Sequence, residues 1–143
     1  MPAVDMDALE IAEFLESRAT GVLSLAKYDD GYAVPVSYTY VDDGPYIYLR
    51  LGYGPDSRKR AFLETGGAVS FVVYDETDEG WKSVVARGHL DELSKNSLDS
   101  IVVESVEHLD IPYFDVHDRP VENLEFTIAR ITVTDLTGIV EGS

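Results

Sequence analysis

The stretch that decides the fold is Gly21 to Leu51, which reads GVLSLAKYDDGYAVPVSYTYVDDGPYIYLRL. It contains three β-rich segments, at Gly21–Tyr28, Tyr32–Val41 and Tyr46–Leu51. Acidic turns that end in glycine, Asp29-Asp30-Gly31 and Asp42-Asp43-Gly44, separate the segments. Because Asp-Gly between β-rich segments is a strong hairpin signal, the stretch predicts a three-stranded antiparallel meander.

The middle segment of the meander has two unlike faces. Residues alternate between the faces of a strand, so its larger side chains share one face and its smaller ones share the other. The larger set is Tyr32, Val34, Val36, Tyr38 and Tyr40, and the smaller set is Ala33, Ser37 and Thr39. The small face leaves room for a flat ligand.

Sequence patterns outside the meander complete a small domain. An amphipathic helix is predicted from Ala8 to about Arg18, capped by Asp5 or Asp7. Further strands are predicted at Ala68–Tyr74, Trp81–Leu90 and Leu124–Thr134, with an acidic loop at Asp75–Gly80, an irregular segment at Leu109–Asn123, and helices at Ser57–Thr65 and Asn96–Val106. We therefore predict one domain over residues 1–143, of the α+β class, with a small antiparallel six-stranded β-barrel and two or three peripheral helices.

Composition excludes several kinds of protein. The chain has 27 acidic and 11 basic residues and a formal net charge of −16. This acidity suggests a halophilic protein adapted to high salt. We expect no nucleic acid partner, because so few basic residues cannot form the basic face that nucleic acids require. It has no cysteine, and its three histidines match no ligand motif, so we expect no metal site. Without a signal-like N-terminus or a membrane-spanning apolar run, we expect a soluble cytoplasmic protein that does not bind membranes.

Cations cluster in one short stretch of this acidic chain. Arg50 precedes a Gly-rich turn, and Arg58, Lys59 and Arg60 follow the helix-capping residue Ser57. Free N–H groups at a helix start, together with nearby cations, suit a phosphate. The alternative is a solvated helix face that balances nearby carboxylates.

At this point the chain resembles a known group, the FMN-binding split-barrel superfamily, which includes pyridoxamine 5′-phosphate oxidase and nitroimidazole-reductase-like flavoproteins. The resemblance covers about Gly21 to Leu93, and its best motif is Ser57-Arg58-Lys59. It implies a split barrel in which Arg58 and Lys59 contact the FMN phosphate, with Ser57 at the helix cap. It also implies that Ser83, at the position of a flavin-contacting Gln, approaches the cofactor.

The resemblance further implies that the strand containing Val34, Pro35, Val36 and Ser37 lies along the isoalloxazine edge. Arg50, from the cation cluster, is a further candidate for binding the anionic cofactor. Relatives bind flavin between two subunits, so a homodimer is expected, with Trp81 in the core or at the dimer interface. Two features of the oxidase are missing. Ala33 stands where the oxidase has a phosphate-contacting Arg, and the C-terminal Arg-Leu-x-x-Arg motif is absent, which argues against pyridoxamine phosphate as substrate.

The leading hypothesis is an FMN-dependent oxidoreductase that acts on a small molecule, with the substrate and the catalytic residues left open. One alternative is a deazaflavin-dependent reductase of the same fold. The other is a non-catalytic flavin-binding protein.

Overall fold

The computed structural model describes residues 3–27, 30–53, 67–93 and 125–142. These residues form one helix and seven strands. In chain order the elements are β1 (Ala3–Asp5), α1 (Ala8–Ser17), β2 (Thr20–Lys27), β3 (Asp30–Val41), β4 (Tyr46–Tyr53), β5 (Ala68–Thr77), β6 (Gly80–Leu93) and β7 (Glu125–Glu141).

Six of the strands close into an antiparallel barrel. The hydrogen-bonded order β7-β4-β3-β2-β5-β6 returns to β7, because β6 also pairs with β7. β1, which the sequence did not predict, adds a seventh strand beside the end of β7. The predicted meander of β2, β3 and β4 is confirmed. The predicted helices at Ser57–Thr65 and Asn96–Val106, and the irregular segment Leu109–Asn123, lie outside the described residues.

Several strand boundaries differ from the prediction. β5 and β6 extend into the segment predicted as an acidic loop, so that only Asp78 and Glu79 separate them. Gly80 makes this turn possible with a φ of 119°, and the Thr77 hydroxyl donates to its carbonyl oxygen at 2.8 Å. β7 continues to Glu141 instead of ending at Thr134, because its last residues pair with β6 on one side and β1 on the other.

The helix α1 packs its apolar side against the barrel core. Asp7 caps it, accepting a hydrogen bond from the Glu10 N–H at 2.8 Å while the Glu10 side chain reaches back to the Asp7 N–H, so the second of the two predicted caps is correct. The buried helix residues are Ile11, Ala12, Phe14 and Leu15. The described helix is too short and too polar to cross a bilayer.

The barrel interior is filled by alternate residues of every strand. The Tyr38 ring lies edge-on to the Phe71 ring, with centroids 5.1 Å apart. At Gly88 the backbones of β6 and β7 approach so closely that an added Cβ would lie 2.0 Å from the Thr132 carbonyl oxygen. The pairing register shifts at this point, which leaves Thr134 as an extra residue in β7. On each side of this shift, the residues of β7 still alternate between the inner and the outer face of the sheet.

Candidate functional site

The barrel is split between β3 and β4. The two strands pair only from Tyr38↔Leu49 to Val41↔Tyr46. Beyond Leu49, β4 continues along β7, where Arg50 pairs with Ile128 and Tyr53 with Glu125. Residues 31–37 of β3 and 50–53 of β4 therefore form the two walls of a cleft, which we call the split.

The backbone of β3 presents polar groups to the split. The Tyr38 N–H donates to the Ala19 carbonyl oxygen at 3.0 Å, on the β2 side. Because hydrogen-bonding direction alternates along an antiparallel strand, the backbone groups of Ala33 and Pro35 point the other way, towards the split. Within the described ranges no strand pairs with this edge. Proline has no N–H to donate, so Pro35 suits a position without a partner strand and offers only its carbonyl oxygen.

The side chains of β3 divide as the sequence predicted. Ala33 is exposed and Pro35 is half-buried on the outer face. Ser37 shares this face but is only 1% exposed, and it already has an interaction partner. Val34 and Val36 point into the core, and their backbone groups face β2, so they support the site from beneath and offer no group to the split.

The cations predicted to bind phosphate follow the other wall. Arg50 is the first β4 residue beyond the last β3–β4 pair, so the structure places its backbone at the mouth of the split. Ser57, Arg58 and Lys59 lie outside the described residues. Ser57 is four positions after Tyr53, the last residue of β4.

Sequence reasoning missed Arg130, which lies on β7 directly opposite Tyr48 and two positions from the residue that pairs with Arg50. Its guanidinium carbon lies 4.8 Å from the centre of the Tyr46 ring, and its buried Nε has no hydrogen-bond partner among the described residues. The strand pattern alone could have placed Arg130 outward, but only the β4–β7 register brings it near Arg50.

Ser83 lies elsewhere on the barrel. It is on the outer face of β6, between Tyr74 of β5 and Ile139 of β7, and β2 and β5 separate it from β3. Within one chain the structure therefore does not bring Ser83 to the split.

An apolar surface surrounds Ser83. Trp81 is 49% exposed, so of the two places predicted for it the core is wrong and the dimer interface stays a prediction. Tyr74 and Ile139 are 61% and 38% exposed. The half-buried Val72 and Val85 continue this surface across β5 and β6. In the parts of the chain that the structure describes, no group of three or more His, Cys, Asp or Glu side chains could hold a metal ion.

The amino-acid sequence matches a known family. The sequence profile of pyridoxamine 5′-phosphate oxidase matches residues 7–140. The chain belongs to that family. No curated protein matches it at a significant level.

Several solved structures share the fold of this chain. A Corynebacterium glutamicum protein, provisionally named a pyridoxamine 5′-phosphate oxidase, is 22% identical, with a TM-score of 0.73 over 99% of this chain and 100% of that one. An FAD-binding protein from Mesorhizobium loti is 22% identical, with a TM-score of 0.69 over 99% and 100% of the two chains. A Bacteroides thetaiotaomicron protein, provisionally named for 5-nitroimidazole antibiotic resistance, is 16% identical, with a TM-score of 0.71 over 97% and 87%. At these identities the similarity shows the fold.

Proposed function

We propose that this protein is a homodimeric flavin-dependent oxidoreductase that binds FMN in the split. The unpaired edge of β3, with the backbone of Arg50 at the mouth of the split, carries the proposal, together with the cations that follow Arg50 in the sequence. The edge offers backbone groups to a planar heterocycle, and the cations offer charge to a phosphate. The bound flavin would supply the electron chemistry, and the chain would bind and orient it.

Part of the pyrimidine edge of a flavin ring can pair with the backbone of the split. That edge carries carbonyl oxygens and an N–H. The Ala33 N–H can donate to one of those carbonyl oxygens, and the Ala33 carbonyl oxygen can accept from the ring N–H. The small Ala33 side chain lets the ring approach the backbone closely.

FMN is favoured over FAD and over a deazaflavin by where the cations are. Arg50, Arg58, Lys59 and Arg60 are confined to eleven residues, which suits a single terminal phosphate. A longer anionic tail needs a longer basic groove, and only 11 basic residues serve the whole chain. The FAD-binding name of the Mesorhizobium loti relative makes FAD the second candidate.

The homodimer is proposed to form through the apolar surface of Tyr74, Trp81 and Ile139. These three side chains lie on neighbouring strands, and burying them against a second copy would remove a large apolar area from water. The same contact would place Ser83 at the interface, where it could face the flavin of the other subunit. Two chains of formal charge −16 repel each other, so the dimer is expected to require high salt.

The cofactor test compares FMN with riboflavin at molar salt. Arg58→Ala with Lys59→Ala is expected to weaken FMN binding about a hundredfold or more, because each charge-assisted contact is worth roughly 1.5–3 kcal/mol. Riboflavin, which lacks the phosphate, should bind the parent and the variant alike. Arg18→Ala with Lys82→Ala is the matched control. It removes the same total charge from two cations outside the cluster, each of which is ion-paired with its own carboxylate. Equal losses of FMN and riboflavin would contradict the phosphate contact.

Rapid reduction by NADH or NADPH, followed by reoxidation, separates an oxidoreductase from a non-catalytic flavin-binding protein. The proposal expects a bound flavin that is reduced and then reoxidised by an acceptor. A flavin that stays oxidised with both donors would favour the binding protein.

A further inference from the structure

A second recess lies on the outer face of the barrel, apart from the backbone edge of the split. It has a volume of about 290 Å³. Its floor is made of small side chains from β2 and β5, and its wall carries Arg87 and His89 of β6. The floor residues are Ser24, Ala26, Ala68 and Ser70.

Arg87 differs from the other cations whose side chains the structure describes. Of the cations whose side chains the structure describes, Arg18 is ion-paired with Asp75 and Lys82 with Glu79, and Arg130 stacks on a tyrosine ring. The exposed Arg87 guanidinium has no ion-pair partner among the described residues, although Asp135 is its cross-strand neighbour. In a protein with 27 acidic residues, an unpaired cation in a concave site indicates an anionic ligand.

His89 adds a second polar group to the same wall. It follows Arg87 by two positions on β6, so both side chains lie on the outer face, and both line the recess. The imidazole offers a hydrogen-bond donor in either protonation state. Two donors on one wall can share the oxygens of a single carboxylate or phosphate.

We propose that this recess binds a small planar organic anion, with its anionic group on Arg87 and His89 and its ring on the small-residue floor. Alanine and serine side chains leave the backbone of the floor accessible to a flat ring. The Ser24 and Ser70 hydroxyls can hydrogen-bond to polar substituents. The volume of the recess accommodates a ring of one or two cycles.

A row of cross-strand neighbours connects the recess to the split. Arg87 pairs with Ser70, Ser70 with Ser24, and Ser24 with Ala33 at the edge of β3. Three strand spacings of about 4.8 Å put roughly 14 Å between the ends of this row. A ring on Ser70 and Ser24 would thus extend from Arg87 towards a cofactor in the split. The anion is therefore assigned as the substrate. This role rests on the proposed flavin site, whereas the binding of the anion to the recess does not depend on a flavin.

Calorimetry at molar KCl tests the binding with benzoate, phenyl phosphate and the neutral benzamide as probes. We expect at least one of the two anions to bind, and benzamide to bind about tenfold more weakly or worse. The tighter of the two anions identifies the anionic group as a carboxylate or a phosphate. Absence of binding by both anions, or equal affinity for benzamide, would overturn the proposal.

Two variants locate the binding. Arg87→Gln should weaken binding of the anion about tenfold or more, whereas the control Lys82→Gln, which removes one ion-paired cation outside the recess, should leave it unchanged. Ser70→Leu fills the floor and should prevent binding, with circular dichroism and thermal unfolding confirming that the variant folds. Unaltered affinity in Arg87→Gln, or equal loss in Lys82→Gln, would refute the site.

Flavin content, measured on the same samples, distinguishes the two proposals. Anion binding that depends on Arg87 in a protein unable to bind flavin would sustain the recess and refute its role as a substrate site. A flavin-loaded protein that binds no anion would refute the recess and leave the flavin site intact.

Discussion

Replacing Tyr38 with phenylalanine tests a hydrogen bond that holds α1 against the barrel. The Tyr38 hydroxyl is buried and donates a hydrogen bond of 2.6 Å to the Leu15 carbonyl oxygen in the last turns of α1. The substitution removes this bond but keeps the ring, so the edge-on packing against Phe71 persists. A lost buried hydrogen bond costs about 1 kcal/mol, and a carbonyl left without a partner costs about 1–3 kcal/mol.

The Leu15 carbonyl oxygen keeps one hydrogen bond in the variant. The Arg18 N–H also donates to the Leu15 oxygen, at 3.4 Å, and this weak bond can shorten. We therefore expect Tyr38→Phe to lower the free energy of unfolding by about 1–2 kcal/mol. The matched control is Tyr40→Phe, whose hydroxyl donates to the Asp42 side chain at 2.9 Å in a part-buried position, and for which we expect less than about 1 kcal/mol.

Urea unfolding at molar salt measures both variants, and pH supplies an independent signature. Burial raises the pKa of Tyr38 above the ordinary tyrosine value of 10.0, an effect that the nearby Arg18 charge partly offsets. Above pH 10 the unfolded chain therefore releases a proton that the folded chain keeps, so the stability of the parent falls as pH rises. Phenylalanine has no proton to release. The stability difference between the parent and Tyr38→Phe should shrink above pH 10, and a difference that is zero at neutral pH, or constant to high pH, would refute the reasoning.

Gly88→Ala should destabilise the barrel by about 3 kcal/mol or more in thermal unfolding, since the new Cβ would collide with the Thr132 backbone. Gly31→Ala, whose new Cβ meets no atom within 4 Å, should be nearly neutral in the same assay. Asp7→Ala should cost about 1 kcal/mol of stability in urea through loss of the helix cap, and Asp7→Asn, which keeps a capping oxygen, should recover most of it. Arg18→Gln should cost less than about 1 kcal/mol, because the Arg18 and Asp75 side chains are 30% and 51% exposed; a loss above 2 kcal/mol would show that this ion pair matters more than its exposure implies.

The local signals of the sequence were enough for the meander and the first helix. The turn signals at Asp29-Asp30-Gly31 and Asp42-Asp43-Gly44 predicted the order of β2, β3 and β4, although Asp30 and Gly31 belong to β3, and Asp7 with Glu10 marked the helix start. The second half of β7 was missed because Asp135 and Gly138 are typical of turns. Pairing with β6 and β1 on both sides outweighs those preferences.

The candidate site was harder to predict because it depends on register. The small face of β3 and the cations near Arg58 could be read from residue types. The split could not, since it exists only because β4 leaves β3 after Leu49 and follows β7. The closeness of Arg130 to Arg50, and the recess below Arg87, likewise arise from pairings between strands distant in sequence.

The late position of β7 in the chain bears on how this protein is made. β4 and β6 both complete their pairing through β7, whose residues start at Glu125. During synthesis, the ring therefore cannot close until β7 has left the ribosome, and until then two strands carry open edges. Such edges invite pairing between neighbouring nascent chains. The strong negative charge of the chain, present from the first helix onward, would keep those chains apart during this interval.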